Sequence, residues 1–411
     1  MAVIRMAKAE FQPRALKFLV AVRATPLQGA LLTNRTGLAT FHTPNKNNMS
    51  GKSTKPNLSQ SQAAELVKKR YNLTASEVNV LPAWEDQNLH VVTEEGGQFV
   101  LKIMNSEDSK KPDLAEVQTY AMNFLREKGL PTQNTLKTTT GQIMFLEDID
   151  CGHGLQKFLV RLLTYLPGIQ IANAPLSPQL LYDVGQSAAR MDLVLKEMKH
   201  PQASALQRDH LTWSLSNVLL LEKYMKVVDG LPLQAGVRMV LHQYKTCVAP
   251  KYSAFRKCVI HGDLNHLNVL VQAEDSNAHK ISGIIDFGEI HSGYYVHELA
   301  ITIMYMMLEH PKPIEVGGAI LAGWESIFPL NKTEKDCLFW LVLSRFCQSL
   351  VLSRYTVTQQ PENEEYLMST SKNGVRILLE LLKVGKGQVE KVWFQTAADL
   401  NHKKTEIEPS N

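Results

Sequence analysis

Between positions 259 and 288 the chain reads Val-Ile-His-Gly-Asp-Leu-Asn-His-Leu-Asn-Val-Leu-Val and, after a gap, Ser-Gly-Ile-Ile-Asp-Phe-Gly. Asp263 stands in a tight His-Gly-Asp turn, where its carboxylate can accept the proton of an attacking hydroxyl. Asn268, on the lip of a strand expected at 269–271, offers a neutral oxygen to a hard cation. Asp286, at the end of a second strand at 281–285, offers a charged one. Mg2+ takes few protein carboxylates and draws its other ligands from substrate phosphates, so one Asp, one Asn and a nucleotide make a sufficient site. The chemistry this set serves is phosphoryl transfer. Two unrelated turns, each with an Asp as a backbone cap, would explain either Asp singly. They do not explain His, Asp, Asn and Asp-Phe-Gly together.

Several elements must position these groups. Apolar spacing predicts a helix at 59–71, with Ser59 or Ser61 as its cap. Strands follow at 78–81, 88–92 and 99–103, the last two joined across Glu-Glu-Gly-Gly. In Phe-Val-Leu-Lys-Ile (99–103) the alternation places Lys102 in an otherwise apolar strand, which is unfavourable unless the charge is paired. An amphipathic helix is expected at 113–128, and two more strands at 143–147 and 158–166. Beyond Pro178 the pattern is mostly helical, with stretches at 213–224, 235–247, 299–308, 317–328, 334–355, 366–383 and 387–401.

At 411 residues, 44% hydrophobic and 20% charged, the composition is that of an ordinary globular protein with room for two lobes. The net charge of +4 is uneven, since residues 1–48 carry seven Lys/Arg against the single Glu10. The rest is therefore about −2, with no electrostatic reason to expect nucleic acid. The longest apolar run, 299–308, falls short of a membrane span. Five scattered cysteines suggest free thiols rather than a zinc site or disulfide framework. The basic N-terminus could form an amphipathic helix with the character of a mitochondrial transit peptide, while Met49 would be a reasonable alternative start. A cytoplasmic location is expected, with the mitochondrial matrix as the alternative. The expected division is a basic extension and linker at 1–58, a small lobe at 59–166, a large lobe at 167–401 and a tail at 402–411.

The His-Gly-Asp-Leu, Asn and Ile-Asp-Phe segments resemble the aminoglycoside phosphotransferase and choline kinase superfamily. Gly262 replaces the Arg of protein kinases, and no Ala-Pro-Glu follows Gly288, which suits a small-molecule acceptor. Within the superfamily the chain resembles the hydroxylysine kinase family through Pro-Asp-Leu-Ala-Glu-Val-Gln (112–118), Leu-Val-Arg-Leu-Leu-Thr-Tyr-Leu-Pro-Gly (159–168), Ile-Thr-Ile-Met-Tyr-Met-Met (301–307) and Ser-Arg-Phe-Cys-Gln-Ser-Leu-Val (344–351). The resemblance implies an α+β, protein-kinase-like bilobal fold, with an antiparallel sheet in the small lobe and a larger, mainly helical lobe. It implies transfer from GTP, with ATP as the alternative, to the hydroxyl of 5-hydroxy-L-lysine, using Mg2+. Asp263 would be the base, and Asn268 and Asp286 would hold the metal. Lys102, fixed by Glu116, would clamp phosphates beside the amide of Asn88. Backbone groups from Thr164 to Leu166 would meet the purine edge. Glu298 and Arg345 are the candidate acid and cation for the acceptor, and His261 is expected to pack near Asp-Phe-Gly. The alternative for Glu116 is a solvated first-turn Glu, and for Glu298 a plain helix-start carboxylate. Two other functions stay open: another acceptor (homoserine, choline, methylthioribose or a sugar amine), and an inactive kinase fold used as a binding module.

Overall fold

The structure, a computed structural model, describes residues 55–407 apart from 84, 153, 276–277, 360, 362–363 and 369–370. The basic stretch at 1–48, with its expected helix, lies outside the described residues. Helix α1 (Gln60–Tyr71) starts at Ser59, whose hydroxyl accepts the Gln62 N–H while the Gln62 side chain accepts the Ser59 N–H. Its buried stripe, Ala63, Leu66, Val67 and Tyr71, packs on an antiparallel sheet. The strands are β1 (Ala75–Leu81), β2 (Gln87–Thr93), β3 (Gln98–Ile103), β4 (Thr135–Leu136), β5 (Phe145–Asp150) and β6 (Leu155–Thr164). Across the sheet the order is β1-β2-β3-β6-β4, with β5 also on β6. Alternation buries Leu89, Val91, Leu101 and Ile103 in the α1 core. Asn88, Lys102 and Arg161 form a row across β2, β3 and β6, because Lys102 is the register partner of both others. Helix α2 (Pro112–Glu127) leaves β3 and buries Leu114, Val117, Ala121 and Leu125 in the core of the large lobe, so it joins the two lobes.

After Thr164 the chain turns at Gly168, whose φ of 125° and approach to Val271 O, 2.7 Å from where a Cβ would sit, both require glycine. Strand β7 (Ile169–Gln170) then pairs with a strand of the large lobe. That lobe contains α3 (Pro178–Glu197), α4 (Gln234–Gln243), β8 (Lys257–Ile260), β9 (Val269–Asp275), β10 (Ala278–Ile284) and β11 (His291–Tyr294). It continues with α5 (Tyr295–Met307), α6 (Pro313–Glu325), α7 (Lys332–Gln359), α8 (Glu364–Leu367), α9 (Ser371–Val384) and α10 (Lys386–Ile407). The helix expected at 213–224 is instead a 3-10 run, Leu215–Val228, irregular at Asn217. There the Asn217 amide turns back to the carbonyls of Asp209 and Leu211, a local bond that competes with the helix. Helix α10 continues to Ile407, where a tail from 402 was expected.

Helix α7 is the one helix among the described residues long and apolar enough to cross a membrane, yet its apolar window is 89% buried inside the protein. It is the central core helix. The β8–β11 ladder pairs Ile260 with His291, and the β9–β10 ladder pairs Val269 with Ile284. Together they bring the 261–268 loop against the 285–290 loop.

Candidate functional site

Asp263 lies where the two loops meet. One carboxylate oxygen accepts from Arg345 Nη2 at 3.0 Å, and the other accepts from Asn265 Nδ2 at 2.8 Å and Asn268 Nδ2 at 3.1 Å. Its side chain keeps 23% of its area open. Burial pushes the carboxyl up to about 7 against the pull of Arg345, with Glu289 and Asp286 adding to the rise. His261 holds the turn from below. Its Nε2 donates to Ile285 O at 3.0 Å and its Nδ1 accepts the Asp263 N–H at 3.2 Å. Burial lowers this imidazole to about 4, so it is neutral and can play both parts. Its ring lies 4.7 Å from that of Phe287, as expected.

Asp286 has φ 62° and ψ 75°, an unusual conformation for a residue other than glycine, held where β10 gives way to a 3-10 turn. Lys102 holds its carboxyl below the usual range. Lys102 Nζ sits 3.2 Å from Asp286 Oδ1 and 3.0 Å from Asp86 Oδ2. Burial opposes the lysine's charge, but the two carboxylates together push it up to about 12.

Glu116 is not the partner of Lys102. It faces outward with Tyr120, is half-exposed, and lies 3.5 Å from His200 Nε2. The inner face of α2 carries Gln118, which donates to Gly288 O, and Thr119, which accepts from Arg161 Nη1. The carboxylate next to Lys102 is Asp86, fixed by the N–H and side-chain amide of Asn105. Asn88 does stand beside Lys102, and its Oδ1 is buried without a hydrogen-bond partner among the described residues.

Glu298 is also displaced from its expected place. It is fully buried beneath the loop, and its Oε2 accepts the Gly262 N–H at 2.9 Å. Burial pushes it up to about 7. It supports the His-Gly-Asp turn and has no surface left for an acceptor. Arg345 does reach the centre, stacked 5.0 Å from the Trp213 ring and 5.2 Å from the Tyr305 ring. Its charge is spent on Asp263 and Trp213 O. Thr164 is occupied too, because its N–H donates to Asn134 O and its C=O accepts Gln133 Nε2 alongside β4. Tyr165 N–H donates to Gln98 O. Leu166 alone of the three keeps its backbone groups without a partner among the described residues.

Among the described residues no three His, Cys, Asp or Glu side chains group to hold a metal ion. Asn268 spends its amide hydrogens on Asp263, which leaves its carbonyl oxygen without a hydrogen bond among the described residues, and Asp286 has 45% of its side chain open. One neutral and one anionic oxygen fit Mg2+ that takes its other ligands from phosphate and water.

Four residues of this region escaped the sequence reading: Asp86, Arg161, Arg208 and Glu289. Arg161 was accessible to it, since a charge inside the apolar run Phe-Leu-Val-Arg-Leu-Leu carries the signal that singled out Lys102. Arg161 is 3% exposed, and its Nε has no partner among the described residues. Arg208 Nη1 donates to Gly288 O at 2.7 Å and lies 3.9 Å from Glu289 Oε2.

A model of the phosphotransferase enzyme family matches residues 77–334. The hydroxylysine kinase of Danio rerio is 55% identical over 349 residues, 85% of this chain and 98% of that protein. The hydroxylysine kinase of Bos taurus is 46% identical over 355 residues, 84% of this chain and 94% of that protein. Among solved structures, an amicoumacin kinase in complex with AMP-PNP, Ca2+ and Ami has a TM-score of 0.57 at 14% identity, covering 86% of this chain and 96% of that one. A spectinomycin phosphotransferase in complex with ADP and spectinomycin has a TM-score of 0.54 at 13% identity, covering 82% and 98%. These two show the fold, the two-lobed protein-kinase-like arrangement expected above.

Proposed function

Because the chain belongs to the phosphotransferase enzyme family, alongside the hydroxylysine kinases, and is an enzyme that transfers phosphate to a hydroxyl, we propose that its acceptor is 5-hydroxy-L-lysine and its donor GTP. The observation that carries the acceptor is the 55% identity to a hydroxylysine kinase along 98% of that protein. The donor rests on the family resemblance, since the backbone groups of Leu166 can meet either purine edge.

In this reading the acceptor hydroxyl lies at the open side of Asp263 and in line with the γ-phosphorus. Its oxygen forms the new P–O bond as the bond to the β-phosphate bridging oxygen breaks. Its proton passes to Asp263, whose carboxyl near 7 suits a base at neutral pH. Arg345 and the amides of Asn265 and Asn268 fix the carboxylate so that little reorganisation is needed. Asn268 and Asp286 would hold Mg2+, which would supply charge neutralisation on the phosphates. Lys102, held between Asp86 and Asp286, directs its charge at the same phosphates.

If Asp86 is the residue that orients Lys102, Asp86→Asn will lower kcat/KM for the nucleotide by about tenfold or more, the usual size for loss of a positioning partner. Glu116→Gln will change neither rate nor melting temperature measurably, as expected for a single long, partly exposed contact away from Lys102. Steady-state kinetics on both variants decide this, and the opposite pattern would restore Glu116. The acceptor and donor are tested by release of nucleoside diphosphate with hydroxylysine, homoserine, choline, methylthioribose and lysine, each with GTP and with ATP. Turnover is expected with hydroxylysine and GTP, while lysine, which lacks the hydroxyl, competes without reacting. Efficient use of homoserine or choline with hydroxylysine inert would keep the kinase and remove the substrate.

A further inference from the structure

In hydroxylysine the reacting hydroxyl is on the carbon next to the one bearing the side-chain ammonium. A hydroxyl seated at Asp263 therefore brings a cation within about one hydrogen-bond length of the same place. A cation taken from water into this site needs a carboxylate of its own. The acids around the loop are largely committed. Asp263 serves Arg345 and two amides, Asp286 serves Lys102, and Glu298 is sealed beneath the turn.

Among the described residues Glu289 has only one long ion pair. It follows Asp286 by three residues at the end of the turn Phe287–Glu289. Its main chain presses on the catalytic loop, since a Cβ on Gly262 would lie 2.7 Å from Glu289 O, and that carbonyl also binds His291 Nδ1 at 2.7 Å. Its Oε2 is buried and accepts no hydrogen bond from the described residues. The nearest cation, Arg208 Nη1, is 3.9 Å away and donates instead to Gly288 O. The side chain is 31% exposed, and its residue lies three positions past Asp286 with its carbonyl against Gly262, the chain neighbour of Asp263. It also raises the Asp263 carboxyl, as a neighbouring negative charge must.

We propose that Glu289 binds the ammonium adjacent to the reacting hydroxyl and so makes the site selective for vicinal amino alcohols. The inference rests on the hydroxylysine reading and sharpens it. Asp263 and Glu289 together grip the two ends of one O–C–C–N unit, which sets which hydroxyl of an amino acid is phosphorylated.

The test compares 5-hydroxylysine with 2-amino-5-hydroxyhexanoic acid, which keeps the hydroxyl and lacks the neighbouring ammonium. The wild-type enzyme should prefer hydroxylysine by at least about 30-fold in kcat/KM, the low end for loss of one partner of a buried charge pair. Above about pH 7, where the Asp263 carboxylate is ionised in both proteins, the preference in Glu289→Gln should collapse to within a few-fold, with KM for the nucleotide unchanged and the analogue's rate preserved. Glu289→Asp, which keeps the charge on a shorter arm, should retain part of the preference. An equal loss on both acceptors, an unchanged preference, or a shift confined to the nucleotide would each overturn the assignment of Glu289. A wild-type enzyme that phosphorylates neither compound would overturn the hydroxylysine reading and this inference with it. Wild-type activity on hydroxylysine with an unaltered preference in the variant overturns the inference alone.

Discussion

Replacing Asp263 with Asn is expected to lower kcat by about 10²–10⁴-fold, the usual contribution of a positioned general base. The fold should survive the change. Asn keeps an oxygen for Arg345 but turns an NH2 toward the amides of Asn265 and Asn268, which costs about 1 kcal/mol for each of the two bonds lost. The same residue predicts the pH dependence of the free enzyme. Its carboxyl near 7 must be ionised to accept a proton, so kcat/KM should fall about tenfold per pH unit below about pH 7 and level off above it. The stability trend has the opposite sign. The folded carboxyl binds its proton more tightly than an unfolded Asp, so this group loses stability for the chain as pH rises from about 4 to about 7. The Asn variant should lack that contribution, and thermal melts of both proteins across this range measure the difference. A variant with near-normal turnover would remove Asp263 from the chemistry.

Asp286→Asn is expected to have a comparable effect through a different step. Asn tolerates the positive φ at this position, so the substitution removes charge without forcing the backbone to move. Nucleotide affinity in the presence of Mg2+ should fall by about 100-fold, the upper range for weakening a metal site. Lys102 keeps Asp86, so affinity without Mg2+ should change little. Calorimetry with and without Mg2+ separates the two terms. An equal loss in both conditions would place Asp286 against the nucleotide rather than the metal.

The residues whose convergence is legible in the sequence are those whose positions follow from short spacing. Asp263, Asn268 and Asp286 lie on two turns between paired strands, and no long-range fact is needed to see that they converge. Lys102 was legible because strand alternation isolates it among apolar neighbours, and Asn88 follows from the register of the hairpin. Glu116 failed because distance along the chain does not fix the phase of a helix. It falls on the outward stripe with Tyr120 and Phe124, whereas Thr119 faces the sheet. Asp86 was hidden because a loop carboxylate finds its lysine only once β2 and β3 are in register and Asn105 holds it. Glu298 could be placed at a helix start, but whether that start faces solvent or the underside of the catalytic loop depends on the pairing of β8 with β11. Arg345 needed the long-range approach of α7 to show that its charge is spent on Asp263.

On the proposed function, Asp263 receives a proton from a hydroxyl of hydroxylysine while a phosphoryl group moves to that hydroxyl. The most direct measurement is single-turnover transfer from γ-labelled GTP with wild-type enzyme and the Asp263→Asn variant in parallel. Label is expected on the 5-hydroxyl of hydroxylysine and none on lysine, with a transfer rate in the variant lower by about 10²–10⁴-fold at unchanged nucleotide affinity. Label recovered only as inorganic phosphate, or transferred equally fast by the variant, would contradict it.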